Sequence, residues 1–201
     1  MNVASFLARL KDSPWYKGQM VHVEKLPPRQ ARWGELERPL HPVLEEALRA
    51  RKTWPLYTHQ AQAVNALRRG QNVVVATPAA SGKSLCYHVP VIDAVFANPR
   101  ARALYLHPTK ALSQDQLRSL GELLGPASRL RASIFDGDTP REERAAIKAR
   151  SHIVLTNPDM LHLGILPNHR TWSRFFQGLQ YVVVDEAHIY RGVFGSHVAN
   201  V

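Results

Sequence analysis

Cysteine is almost absent from this sequence: Cys86 stands alone among 201 residues. A single thiol excludes an internal disulfide and any cysteine-cluster metal site within the chain, and it fits a reducing compartment. Long apolar runs are missing as well. No stretch approaches the about 18 residues that span a bilayer. The N-terminal "MNVASFLARLKDS" is broken by Arg9 and Lys11 before a secretory core could form. A cytoplasmic protein that needs no membrane is the expectation. The third shortage is acid. Asp plus Glu number 16 against 26 Lys plus Arg, a formal charge of +10 with histidine neutral, and the excess is concentrated in the first 70 residues. Such a balance favours a polyanionic partner, most commonly nucleic acid. A generally basic proteome, or a basic piece of a larger chain, would give the same number.

What is present divides the chain in two. Residues 1–52 hold two short helical patterns, about 3–11 and 42–52, around a middle containing Pro and Trp. They are expected to be an accessory segment docked on a main domain. Residues 53–201 alternate short β-branched runs with helical patterns. Strands are expected at 72–77, 103–107, 132–135, 152–156 and 180–185, and helices at 58–69, 83–97, 110–124, 140–149 and 170–177. Continuous apolar strands between helices imply an α/β domain, a mostly parallel sheet with helices on both faces, whose ligands bind beyond the carboxyl ends of the strands. The closing "GSHVANV" reads as a helix under way, so the domain is expected to be truncated at that end.

The chemistry starts at "ATPAASGKSLCY", residues 76–87. Gly-Lys-Ser before a helix fits a phosphate-binding loop, although Thr77 stands where the usual pattern has its first glycine. Gly82 lets the backbone approach a phosphate, and small Ala79, Ala80 and Ser81 leave room for it. Successive N–H groups and the helix N-terminus face the anion. Lys83 would reach the β- and γ-phosphates, and the Ser84 hydroxyl would ligate Mg²⁺. The second half of such a site is an acidic pair on another strand, and "YVVVDEAH" supplies it. Asp185 would hold Mg²⁺ through water, and Glu186 would orient and deprotonate the attacking water. Two acids can also simply cap a helix. With both motifs at strand ends, an ATP site is the stronger reading.

At these residues the sequence resembles superfamily 2 DEAD/DEAH-box helicases, over about residues 53–201. The likeness implies a RecA-like P-loop NTPase domain, the first of two such lobes. "LYTHQ" (56–60) resembles the Q motif, which makes Gln60 the adenine reader, with Tyr57 placed to pack on the base. "HPTKALSQDQL" (107–117) resembles motif Ia and "TNPDML" (156–161) motif Ib. Pro108, Thr109, Lys110, Thr156 and Asn157 would then lie along a nucleic-acid strand. "FDGDTP" (135–140) adds Gly137, with Asp138 and Thr139, as weaker contacts. "TPAASGKSLCY" and "DEAHIYRGVFGSHVANV" are most similar to the branch of DNA-repair helicases typified by MrfA (YprA). That branch implies 3′-to-5′ movement on single-stranded or partly duplex DNA and repair of mitomycin-type damage. It also implies a second RecA-like lobe and a four-cysteine zinc domain, neither present in these residues. A chain without the second lobe's arginine is expected to bind Mg-ATP, hydrolyse it poorly and unwind nothing alone. An RNA helicase lobe and a non-catalytic nucleic-acid-binding module are the competing readings.

Overall fold

The computed structural model describes residues 2–27, 30–78, 80–125 and 128–201. They form two compact units, Met1–Ala31 and Arg32–Val201. In the first, helix α1 (Val3–Lys11) begins at Asn2, whose side chain accepts the Ala4 amide at 2.9 Å. Arg9 and Lys11 occupy its last turn, where cations favour the helix dipole.

The second unit is built on four parallel strands: β1 (Arg102–Leu106), β2 (Ala132–Ile134), β3 (Ile153–Thr156) and β4 (Leu179–Val184), in the order β2-β3-β1-β4. All five residues of β1 are buried, and their alternation divides the core. Ala103 and Tyr105 join Ile153 and Leu155 beneath α2 (Pro42–Ala50), α3 (Thr58–Arg68), α4 (Lys83–Ala97) and α5 (Lys110–Leu124). Leu104, Leu106 and Val154 pack on the other side with Phe135, Ile147, Ile165, Trp172 and Phe175. Phe135 directly follows β2, and the others come from α6 (Arg141–Arg150), the coiled stretch after α7 (Pro158–Met160), and α8 (Ser173–Gln177). Helices thus cover both faces, as the continuous apolar runs imply. A further helix, α9 (Gly192–Ala199), follows the DEAH residues.

Three sequence expectations need correction. The division of the chain falls at Ala31/Arg32 and not after residue 52. Leu40, Leu44 and Leu48 are buried in the main core, the last two completely. Polar bonds hold the same segment: Arg68 donates to the carbonyls of Arg38 and Pro39 and pairs with Asp93 at 2.7 Å, while Asp93 also accepts the His41 amide at 2.7 Å. Second, residues 71–78 enter no ladder among the described residues, and Val74 is 95% exposed. Their β-branched side chains favour a strand, but a strand also needs a hydrogen-bonding partner. Third, the helix expected at 170–177 is preceded by a π-helical turn (Leu161–Ile165) and a 3₁₀ stretch (Leu166–Trp172), so only Ser173–Gln177 is α-helical.

The sheet places the motifs side by side. The His107 amide donates to the Thr156 carbonyl at 2.9 Å, and the Asp185 amide to Leu106 at 3.0 Å. The carboxyl ends of β1, β3 and β4 therefore meet along one edge, where open α/β sheets bind ligands.

Candidate nucleotide and nucleic-acid site

Gly82 caps helix α4 in the left-handed conformation, φ 77°. A Cβ there would lie 2.6 Å from the Gln60 side-chain nitrogen, so the position suits glycine on two counts. Gln60, in the first turn of α3 and 2% exposed, donates from Nε2 to the Gly82 carbonyl at 3.0 Å. Its Oε1 accepts the Tyr57 amide at 2.9 Å. The neighbouring His59 Nε2 lies 3.0 Å from the Ser81 carbonyl, and Thr77 and Ser81 share a hydroxyl bond of 2.7 Å. Ala80 is exposed, with a left-handed φ of 58°; Ala79 lies outside the described residues. Helix α3 therefore grips the loop before α4. The Lys83 ammonium donates to the carbonyls of Thr77 and Pro78 at 2.9 and 3.2 Å. An ammonium above the loop, first-turn amides and small side chains make a donor set suited to phosphates.

Across from the loop stand the acids. Tyr87, one turn beyond Ser84, donates from Oη to Asp185 Oδ2 at 3.1 Å. Burial, with Asp185 adding to it, holds the phenol far above its ordinary range, so it remains a donor. Asp185 Oδ1 accepts the Glu186 amide at 2.9 Å. Glu186 itself is left-handed, φ 50° and ψ 40°, which costs a side-chain-bearing residue about 1–2 kcal/mol. His188 lies 3.1 Å from its carboxylate. Ser84, Asp185 and Glu186 offer one hydroxyl and two carboxylates on one side of the loop, the oxygen chemistry a hard cation such as Mg²⁺ takes. Beneath them lies a buried polar layer. His88 is pushed down to about 3 by burial and is neutral, bonded between Tyr105 Oη and Gln116 Oε1. His107 is fully buried and is also held below its ordinary value by burial, against the opposing pull of Asp185.

The expected nucleic-acid residues separate. Thr109 is exposed and caps α5, its hydroxyl accepting the Leu112 amide at 3.3 Å; Pro108 beside it is half-buried. Lys110 is exposed but paired with Asp138, which raises its pKa. That pair borders a cleft of about 440 Å³ also lined by Asp136 and Glu143. Gly137 is exposed with open space around its α-carbon, whereas Thr139 is buried and accepts the Asp136 amide at 2.9 Å. Asn157 caps α7 by accepting the Met160 amide at 2.8 Å. Thr156 does not face outward: it is buried, and its hydroxyl donates to the Phe135 carbonyl at 2.6 Å. Closing the link between neighbouring strand ends takes the group that the sequence reading offered to a phosphate.

Sequence reasoning passed over Trp33, Tyr87, His59 and His107. Trp33 stacks on Tyr57 with centroids 4.9 Å apart and planes 6° from parallel, and both rings are roughly half exposed beside Gln60. Only the repeated aromatic character of "RWGEL" and "LYTHQ" hints at this pair in the sequence.

Comparison with known proteins adds independent information. Residues 57–201 match the DEAD/DEAH box helicase family. The chain is 44% identical over 183 residues to the uncharacterized ATP-dependent helicase YprA of Bacillus subtilis, covering 90% of this chain and 24% of that protein. It is 41% identical over 200 residues to the ATP-dependent helicase HRQ1 of Saccharomyces cerevisiae, covering 98% and 18%. The crystal structure of the DUF1998 helicase MrfA bound to DNA and AMPPNP superposes with a TM-score of 0.83 at 40% identity, over all of this chain and 28% of that one. The chain thus spans less than a third of each of these relatives. The loop, the DEAH acids, the parallel sheet and these matches agree: the chain belongs to the DEAD/DEAH box helicase family, with the RecA-like fold.

Proposed function

We propose that this chain is the ATP-binding first lobe of a DNA helicase. The observation that carries the reading is the contact of Tyr87 with Asp185, which sets the phosphate-loop helix directly opposite the DEAH acids. In this reading Lys83 turns from the carbonyls of Thr77 and Pro78 to the β- and γ-phosphates, while the amides of Thr77, Ala80, Ser81 and Gly82 face the anion. Ser84 and Asp185 would hold Mg²⁺, which supplies charge neutralisation when bound. Glu186 orients the attacking water and accepts its proton. On the base side, Trp33 and Tyr57 offer an aromatic surface, and Gln60 retains one N–H and one lone pair for the adenine edge.

Single-stranded or partly duplex DNA would run past Pro108, Thr109, Lys110, Gly137 and Asn157, bound chiefly by its phosphates. The crystal structure of MrfA with DNA and AMPPNP supports both ligands. The accessory residues 1–31, a second RecA-like lobe bringing a transition-state arginine, a zinc domain, 3′-to-5′ unwinding in DNA repair and a cytoplasmic location complete the proposal. No helix among the described residues is long and apolar enough to cross a membrane.

The deciding experiment titrates the chain with a fluorescent ATP analogue in Mg²⁺. Lys83→Ala should weaken binding by at least about tenfold, the loss of one charge-assisted phosphate contact. Equal affinity in the variant would overturn the assignment.

A further inference from the structure

We infer that His107 is a positioning residue that ties the carboxylate of Asp185 to helix α5, and thereby couples nucleic acid held at the start of that helix to metal-nucleotide held at Asp185. The inference rests on the nucleotide reading above and concerns a residue that the reading leaves unused.

The imidazole lies between the two sites. Its Nδ1 is 3.3 Å from the Ser113 hydroxyl, which sits in α5 one turn beyond Thr109 and Lys110. Its Nε2 is 3.8 Å from Asp185 Oδ2. That nitrogen is completely buried and has no hydrogen-bond partner among the described residues. Geometry selects the tautomer. With Ser113 donating to Nδ1, the proton sits on Nε2 and points at a carboxylate. The other tautomer would set a lone pair against a negatively charged oxygen.

A buried N–H facing an acceptor just beyond bonding distance carries a desolvation cost, which a closer approach removes. Asp185 Oδ2 already takes the Tyr87 hydroxyl, so the imidazole would fix the same oxygen from a second direction. The Ser113 amide, moreover, donates to the Thr109 carbonyl at 3.3 Å, so Ser113 moves with the start of α5. A displacement of Thr109 and Lys110 by a bound strand reaches Ser113, then the ring, then the carboxylate. Coupling of this kind is reciprocal: DNA would sharpen metal binding by the factor by which metal-nucleotide sharpens DNA binding. A histidine that merely fills the core would require none of this.

The test uses residues 1–201, a fluorescent ATP analogue, Mn²⁺ as the metal and an oligo-dT strand. In the unaltered chain, the oligomer should lower the Mn²⁺ concentration that half-saturates nucleotide binding. His107→Leu keeps the bulk and removes the donor. It should raise that concentration by about tenfold, at the low end of effects seen when an outer partner of a metal ligand is removed. It should also abolish the oligomer's effect and leave metal-free nucleotide binding unchanged. His107→Gln, which retains an N–H at similar reach, should restore most of both. Metal dependence within about twofold of the unaltered chain, with the oligomer effect intact in His107→Leu, would overturn the inference at the error expected for such titrations. If that variant fails to fold by circular dichroism, Ser113→Ala decides: an intact oligomer effect rejects the coupling, and its loss supports it. Asp185→Asn separates the two claims. If it loses metal dependence while His107→Leu keeps it, only this inference falls. If the unaltered chain shows no metal-dependent nucleotide binding, the nucleotide reading falls and takes this one with it.

Discussion

The Gln60 side chain donates to the carbonyl of Gly82 across 22 positions of sequence, so the first turn of α3 and the phosphate loop are one polar unit. Replacing Gln60 by Glu keeps the acceptor for the Tyr57 amide but turns a carboxylate oxygen toward the Gly82 carbonyl. The part-buried carbonyl keeps the Leu85 amide at 3.2 Å but now faces a carboxylate in place of a donor, at a cost of about 1–3 kcal/mol. Nucleotide affinity should fall by about tenfold or more on that arithmetic, measured by the same fluorescent titration. Unchanged affinity would mean the loop keeps its shape without α3.

Glu186→Gln preserves the size of the side chain and removes its basicity. Nucleotide binding should remain within about twofold, since lost base strength alone removes no ground-state contact, while any single-turnover hydrolysis should fall by about 10²–10⁴. A variant that hydrolyses as fast as the parent would assign the base elsewhere.

Acidification should destabilise the fold. His88 is held at about 3 in the folded chain against 6.5 ordinarily, and His107 is displaced in the same direction. A histidine with a depressed folded pKa contributes stability that is complete above 6.5 and is lost as pH falls toward the folded value. By pH 5 the His88 contribution alone amounts to roughly 2 kcal/mol lost. Urea unfolding at pH 7.5 and 5.0 measures this, and His88→Asn should flatten the difference.

Binding to single-stranded DNA should weaken steeply with salt, and Lys110→Ala should lower the log–log slope by about 1 if the ammonium meets a phosphate. Asp138→Asn tests the same contact from the opposite side. Releasing Lys110 from its ion pair should tighten DNA binding, and weaker binding would mean that Asp138 orients the lysine usefully.

Leu48 reports on the segment that the sequence reading set apart. Because it is completely buried in the main core, Leu48→Ala should cost about 2–5 kcal/mol in unfolding free energy. A surface accessory would give far less.

The contrast shows where the sequence is legible. Strands β1, β3 and β4 are continuous apolar runs flanked by helical patterns, and each lies within a residue or so of its expected bounds. The Gly-Lys-Ser and Asp-Glu residues are local signals, and the Tyr87–Asp185 contact brings them together. Residues 32–52 misled because their place in the core depends on partners far along the chain: Asn65 to Glu35, Arg68 to Pro39, and Asp93 to His41. Thr156 misled because its type fits a phosphate contact equally well, and only the neighbouring strand end decides where the hydroxyl points. Trp33 and His107 each acquire their meaning from a ring or carboxylate that only the fold brings near.

Among the described residues β4 is an edge strand, and this has a practical consequence. Val182 and Val184 are about half exposed on that strand, and Val74 protrudes from a run that enters no ladder among the described residues. Both "NVVVA" and "YVVV" are β-prone and uncharged. Unpaired backbone next to such side chains is a template for intermolecular strand addition. The net charge of +10 opposes that association by repulsion between chains. The balance should tip with ionic strength: solutions of this chain that stay clear at low salt should turn turbid as salt screens the charge, and a lysine at position 182 should keep them clear.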